Sequence, residues 1–237
     1  MALIYLIYFF KNRYNFSEKI NLKRFYSSFL RKFKYLFVFL LFSFSTPELS
    51  SNVSETILFS VSRHNDSIGF VEIKRNTQDN VTSYIIDSEV NVRVIFNFKA
   101  NGHEKSVYKD DVLVYSSMYR KMNNKLKLDQ YLTLENDNYI FKNNGKKEKL
   151  PLNSIKHNLA TLLYNEPTNI QKVYSDKFKK MVEINSLGNS KYKLVLPNNS
   201  VSVYHYKNGQ CIKVELKGSF YKVDLIRKYH NHKSYKS

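Results

Sequence analysis

The chain has 237 residues, of which 38 are basic and 20 acidic, and its net charge is +18 at pH 7. A hydrophobic content of 43% excludes a wholly disordered protein. The single cysteine, Cys211, excludes an internal disulfide framework and a cysteine-rich metal module. The basic residues are scattered, and Lys, Asn, Ile, Tyr and Phe are abundant together. We therefore attribute the charge to a compositional bias and expect no nucleic-acid partner.

The N-terminal region has the pattern of an export signal. Residues 35–45 (YLFVFLLFSFS) are apolar and uncharged, and three basic residues lie directly before them, between positions 31 and 34. The stretch is shorter than the ~20 residues of a membrane-spanning helix. Ser43 and Ser45 form a small-x-small cleavage pattern. We expect a protein of the periplasm or cell envelope, whose membrane contact is limited to this segment and which stays anchored if the signal is not cleaved.

The composition along the chain divides it into four parts. Residues 1–45 are assigned to a signal peptide or signal-anchor region, and residues 46–53 to a short linker. Residues 54–228 carry closely spaced strand and turn patterns and are assigned to one β-rich domain. Residues 229–237 (YHNHKSYKS) form a basic tail.

Alternating apolar and polar residues predict strands through most of the domain. Ile57, Phe59 and Val61 form one such apolar face, and residues 90–98 form another, longer one. Gly69 suggests a bulge or a close approach of the backbone within a strand. Turns are predicted where Asn, Asp or Gly separate these runs, at 65–67, 101–102, 110–111, 143–145, 197–199 and 208–209.

This succession of about ten or eleven strands joined by hairpins predicts the fold class. The chain is expected to be mainly β, an antiparallel meander forming a curved open sheet or a partly open barrel. A repeated βαβ rhythm is missing from the sequence, which excludes Rossmann and TIM-barrel folds.

One segment departs from the strand pattern. Asn153-Ser154 precedes apolar residues at helical spacing, Ile155, Leu159, Leu162 and Leu163, and Pro167 follows. We predict one amphipathic helix over residues 154–164, lying across an open end or in the concave face of the sheet. Its leucines are expected to be buried, with Tyr164 and Glu166 at the rim.

Several of these motifs resemble a known family. The succession YKDDVLVYSSMYRKMNNK (108–125), LATLLYNEP (159–167), Tyr174-Ser175 and VYHYKNGQ (203–210) is similar to the exported bacterial proteins of domain of unknown function family 6134. The resemblance covers roughly residues 55–228. It implies export and a β-rich fold, and it implies no activity, because none has been assigned to the family.

The candidate ligand-binding residues are Arg93, Tyr164, Glu166, Tyr204 and Tyr206. Glu166 could act as an acid or base beside the two tyrosines at 164 and 206, or it could accept hydrogen bonds that fix the end of the helix. Arg93 could meet an anionic headgroup, or form an ion pair with Glu166 or Glu89. Abundant tyrosine suits the lining of a cavity, because it has an apolar body and a polar tip.

The sequence offers little support for catalysis. It contains no Gly-rich phosphate loop, no G-x-S-x-G elbow and no H-E-x-x-H motif. A Cys211–His205 pair across a hairpin and weak metal binding by His230 and His232 are the residual possibilities. Neither is favoured, because neither has supporting ligands or partners nearby in the sequence. We expect no enzyme, no cofactor and no metal site.

These observations leave two main hypotheses. The first is an exported, monomeric, non-catalytic module that binds an apolar or amphiphilic ligand in its curved sheet. The alternative is a structural or protein-interaction component of the cell envelope, with an envelope protein as partner. An enzyme is the third and least supported hypothesis.

Overall fold

The computed structural model describes residues 52–93, 97–219 and 221–229. The predicted signal region 1–45, most of the predicted linker, and His230 and His232 of the predicted tail lie outside these residues. None of the described segments is a helix with the length and hydropathy needed to cross a membrane.

Fourteen strands form within the described residues, in two runs. The first run comprises β1 (Val53–Arg63), β2 (Asp66–Gln78), β3 (Val81–Arg93), β4 (Asn97–Lys109), β5 (Val112–Met122), β6 (Lys125–Glu135), β7 (Asn138–Asn143) and β8 (Lys146–Leu150). The second run comprises β9 (Lys172–Ser175), β10 (Lys180–Gly188), β11 (Lys191–Val195), β12 (Val201–Lys207), β13 (Gln210–Lys217) and β14 (Lys222–Lys228).

All fourteen strands belong to one antiparallel sheet in the order β8 to β1, then β14 to β9. Each run is a meander, and the pairing of β1 with β14 joins the two. The edge strands β8 and β9 are not paired with each other, so the sheet is open. The predicted fold class, a mainly β antiparallel meander, is confirmed. The strand count was too low because short strands such as β8 and β9 have little alternation to detect.

The hairpin turns are made mostly by asparagine and aspartate. Asp110 and Asp111 have φ angles of 50° and 60°, and Asn208 and Gly209 have 51° and 75°. Positive φ at both central residues is typical of type I′ turns, whose twist matches that of the flanking strands. The chain has only six glycines. Asparagine and aspartate, the other residues that best tolerate positive φ, therefore occupy most of these turn positions. The turns predicted at these two sites are confirmed.

The turn predicted at Asn101-Gly102 is wrong. Both residues lie within β4, and the long apolar run is divided earlier, since β3 ends at Arg93 and β4 begins at Asn97. Gly102 marks a close approach instead, because a Cβ there would lie 2.7 Å from Ser88 Oγ. A Cβ on Gly69 would lie 2.0 Å from the Glu89 carbonyl oxygen, so the close approach predicted there is confirmed.

The predicted amphipathic helix is not found. Residues 151–171, here called the crossover, connect β8 to β9 and contain only a short 3-10 turn, Thr161–Leu163. The carbonyl of Ile155 accepts from Leu113 N–H of β5 (2.8 Å), and the Ile155 N–H donates to Tyr139 Oη of β7 (3.0 Å). Because residues of the sheet already pair with these backbone groups, the groups are not available for the hydrogen bonds of a helix. The segment therefore runs along the sheet.

The crossover packs into the core even without a helix. Ile155, Leu162 and Leu163 are buried, and Leu159 is partly buried against the same cluster. The cluster includes side chains from both runs of strands, among them Phe59, Ile73, Leu113, Leu194 and Val214. The leucine spacing therefore predicted burial correctly and secondary structure incorrectly.

Candidate functional site

A cavity of about 270 Å³ lies between the two runs of strands. One wall comes from β2 to β5 and the other from β12 to β14. Leu159, Ala160 and Leu163 of the crossover line it as well, and residues 175–178, at and after the end of β9, complete the lining. Strands far apart in the sequence thus share one interior space.

Small inward-facing side chains leave this space open. Ser88 of β3, Ser106 of β4, Ser202 of β12 and Ala160 of the crossover all contribute to the lining. Positions of this kind in a sheet interior are usually filled by larger apolar residues. Because four elements contribute small side chains to the lining, the two walls of strands do not close the space between them.

Most of the lining is apolar. The residues are Val71, Ile86, Met118, Leu159, Ala160, Leu163, Phe178, Leu196, Tyr204, Val214, Leu216, Tyr221 and Leu225. The other lining residues are polar or charged and come from both walls, the crossover and the end of β9. Apolar lining with polar groups that fix a ligand's orientation is the usual chemistry of a small-molecule pocket.

Four of the polar lining residues form a cluster, here called the polar pole and defined as Ser106, Asn158, Ser175 and Asp176. Asn158 Nδ2 donates to Ser106 Oγ (2.7 Å) and to Asp176 Oδ2 (3.1 Å). Gln130 Nε2 donates to the backbone carbonyl of Asp176 (2.9 Å) and so ties this turn to β6. The crossover, β4, β6 and the end of β9 therefore meet at the polar pole.

Asp176 has an unusual electrostatic environment. Burial raises the pKa of its carboxyl from an ordinary 3.8 to about 6, and the negative charge of Glu104 acts in the same direction. Loss of hydration penalises the charged form of a carboxyl, which is the physical cause of the larger effect. The group can therefore change its protonation state near neutral pH.

Two basic residues, Arg120 and Lys177, line the same cavity. Arg120 Nη2 contacts Glu104 Oε1 at 2.6 Å, and both residues line the cavity. Burial, followed by the charge of Arg120, lowers the pKa of Lys177, which is exposed at the same cavity. The arrangement thus contains two carboxylates and two basic groups, with one close pair among them.

Two of the predicted ligand-binding tyrosines hold the crossover in place. Tyr164 Oη donates toward the backbone carbonyls of Glu55 (2.9 Å) and Ile73 (3.0 Å), and Tyr206 Oη donates to that of Leu162 (2.6 Å). Both rings are buried, so the expectation of Tyr164 at the rim is wrong. Neither tyrosine is part of the cavity lining.

The other three predicted residues have different surroundings, and Glu166 is linked to Tyr206 through Tyr192, whose ring lies 5.6 Å from the ring of Tyr206. Tyr204, on β12, lines the cavity. Glu166 accepts a hydrogen bond from Tyr192 Oη (2.9 Å), and its own N–H donates to the Gly209 carbonyl (3.2 Å), which secures the end of the crossover. Arg93 is the last residue of β3, and its side chain lies outside the described part of the structure. The five residues therefore do not form one described cluster.

Sequence reasoning missed Asn158, Asp176 and Glu104. The sequence signal that could have identified them is a polar residue at a position whose side chain faces the interior. In β4, Glu104 and Ser106 share the inward phase of the buried Tyr108. That phase becomes visible only when the register of β4 is known, and the incorrect turn at Asn101-Gly102 concealed it.

Cys211 and His205 do not form a catalytic pair. Cys211 pairs with Tyr206 across the hairpin and is buried in the core, where burial raises the pKa of its thiol to about 12. His205 instead contacts Glu215, with Nε2 and Oε1 at 3.1 Å. A buried thiol with a raised pKa is chemically inert, because the thiolate is the nucleophile.

Comparison with known proteins gave one family and one solved structure. The family model described as Domain of unknown function (DUF6134) matches residues 59–228. A crystal structure of a β-barrel-like protein of domain of unknown function DUF1849 from Brucella abortus is similar over 76% of this chain and 97% of its own, with a TM-score of 0.41 and 9% identity. Among the curated proteins, no match was found.

Proposed function

The chain belongs to the family of domain of unknown function DUF6134, and from that premise we propose that it is a non-catalytic module that binds a small apolar or amphiphilic ligand inside its curved sheet. The observation that carries the proposal is the partly open cavity between the two runs of strands, whose lining is mostly apolar and includes the polar pole. Such a combination holds an alkyl chain or ring along the walls and a polar group at the pole.

The size of the cavity narrows the ligand class. Its volume of about 270 Å³ is just below the ~300–1,000 Å³ of typical small-molecule sites. A compact ligand with one short chain or ring fits this volume, whereas a two-chain lipid exceeds it. We propose a single-chain amphiphile.

We expect calorimetric titration with 1-octanol to detect binding by the wild-type protein and not by the Ser88→Leu variant. Ser88 faces the cavity from β3, so leucine fills the space in which the chain would lie. Affinity should fall at least about tenfold, the equivalent of 1.4 kcal/mol. The melting temperature should be unchanged or higher, because leucine buries additional apolar surface.

The matched control is Ser83→Leu, which places the same side chain on the opposite face of β3. It should bind 1-octanol like the wild type. Ser202→Leu, on the opposite wall, repeats the test if Ser88→Leu does not fold. Absence of binding by the wild type, or equal binding by the wild type and Ser88→Leu, would contradict the proposal.

We also propose that the protein is exported to the cell envelope. The support is the basic flank, the apolar stretch 35–45 and the small-x-small pattern ending at Ser45. The intact mass of protein isolated from its native envelope should correspond to a chain that begins near Thr46. A mass that includes residues 1–34 would instead indicate a retained anchor.

A further inference from the structure

Three buried side-chain atoms of the polar pole, Asn158 Oδ1, Ser175 Oγ and Asp176 Oδ1, have no hydrogen-bond partner of standard geometry in the described part of the chain. The hydroxyl of Ser116 lies near the Asp176 carboxyl. Asn158 and Ser175 are 1% and 0% exposed. Buried polar atoms are nearly always paired, because an unpaired one loses its hydration without compensation. The concentration of three in one place points to a ligand group that would pair with them.

Two of these atoms accept hydrogen bonds and cannot donate them. The amide nitrogen of Asn158 already donates to Ser106 and Asp176, which leaves its oxygen as the free group. Asp176 Oδ1 is a carboxylate oxygen and is likewise an acceptor when ionised. The missing partner is therefore a hydrogen-bond donor with at least two hydrogens to offer.

The charges favour a cationic donor over an anionic ligand. Asp176 forms no ion pair with any described basic residue, whereas Glu104 already contacts Arg120. An anionic headgroup at the polar pole would meet the Asp176 carboxylate. Of the two basic residues that line the cavity, Arg120 is already paired with Glu104 and Lys177 is exposed to solvent. A cation beside Asp176 instead compensates a buried negative charge, which would otherwise be costly.

We propose that the polar pole binds the primary ammonium group of a single-chain amine, with Asp176 Oδ1 and Asn158 Oδ1 as acceptors and the alkyl chain along Val71, Ile86, Val214 and Leu225. This inference rests on the proposed function and specifies its ligand class. The ammonium nitrogen has three N–H donors. Two of them match the acceptors Asp176 Oδ1 and Asn158 Oδ1, and Ser175 Oγ can accept the third hydrogen bond.

The test compares octylamine, 1-octanol and octanoate, which share one chain and differ in the head group. Octylamine should bind the wild-type protein at least about tenfold more tightly than 1-octanol, since hydrogen bonds to charged groups are about twice as strong as neutral ones. Octanoate should bind most weakly. Equal or stronger binding of 1-octanol or octanoate overturns the amine assignment while supporting the cavity. Binding of none of the three overturns the proposed function as well.

Asp176→Asn isolates the charge. The variant should lose the preference for octylamine over 1-octanol, because it removes the charge of the acceptor and leaves the apolar walls unchanged. Asp129→Asn, at an exposed position on β6, is the control and should retain the preference. If Asp176→Asn also retains it, the ammonium lies elsewhere and the proposal is wrong.

A pH series gives a second measurement that does not depend on a variant. The titratable groups that interact with Asp176 are Glu104 and Tyr108 on β4 and Tyr174 on β9, and the basic residues Arg120 and Lys177 line the same cavity. Protonation of Asp176 below its pKa of about 6 removes the negative charge, so octylamine affinity should fall as the pH is lowered through that value. The affinity for 1-octanol should change little. A parallel pH dependence for both probes would contradict the proposal.

Discussion

Leu162→Ala is expected to lower the free energy of unfolding by about 2–5 kcal/mol. Leu162 is 1% exposed, and its carbonyl accepts the buried hydroxyl of Tyr206. Truncation leaves a void beneath the crossover at a point where strands of both runs meet. A loss of this size is a large part of the ~5–15 kcal/mol by which most domains are stable.

Urea denaturation of the wild type, Leu162→Ala and Leu126→Ala measures this effect. Leu126, on β6, is 51% exposed, so its truncation should change stability by no more than about 0.5 kcal/mol. The loss of unfolding free energy caused by Leu163→Ala should lie in the lower part of that range, because this substitution enlarges an existing cavity instead of creating a new one. If Leu162→Ala is as stable as Leu126→Ala, the crossover is a surface segment and does not support the sheet.

The stability of Asp176→Asn relative to the wild type is expected to be greater at neutral pH than at mildly acidic pH. The pKa of Asp176 is raised to about 6 in the folded state, so the folded protein binds the proton more tightly than the unfolded chain does. The stability that this proton contributes is fully present below the ordinary pKa of 3.8 and is lost as the pH rises through about 6.

The quantity to measure is the difference in unfolding free energy between Asp176→Asn and wild type across this range. It should rise by about 2–3 kcal/mol between about pH 4 and pH 7, since each pKa unit corresponds to about 1.36 kcal/mol. Asparagine has no proton to lose, so the variant lacks this component of the pH dependence. A constant difference across the range would show that the carboxyl of Asp176 keeps its hydration in the folded protein. Bound amine should reduce the difference at pH 7, because an ammonium compensates the charge.

The strands and hairpins were predictable because their signals are local. Alternation in Ile57, Phe59 and Val61 requires only the period of a strand, and Asp110-Asp111 requires only the φ preference of its residues. The longest meander is built from such units. The pairing of strands that are distant in the sequence, such as β1 with β14, cannot be predicted from the pattern of either strand alone.

The crossover shows where local reasoning fails. Its leucine spacing is helical, yet Ile155 bonds to β5 and β7, and Tyr164 bonds to the carbonyls of Glu55 and Ile73. Tertiary hydrogen bonds thus replaced helical ones. The spacing could predict which residues are buried, but not which partners their backbone would find.

The polar pole could not be predicted for a related reason. Asn158 lies in the crossover, Ser106 in β4 and Asp176 after β9, so only the folded sheet brings them together. Of the predicted ligand residues whose side chains the structure describes, only Tyr204 lies in the cavity lining. Tyr164 and Tyr206 instead hold the crossover through their hydroxyl hydrogen bonds.

A crystal structure of the protein grown with octylamine tests the central claim, that the interior cavity is the ligand site, most directly. The account predicts one alkyl chain between the β3 and β12 walls, in contact with Ser88 and Ser202, with its nitrogen within hydrogen-bond distance of Asp176 Oδ1. A cavity filled by protein side chains, or octylamine bound only on the outer surface of the sheet, would contradict it.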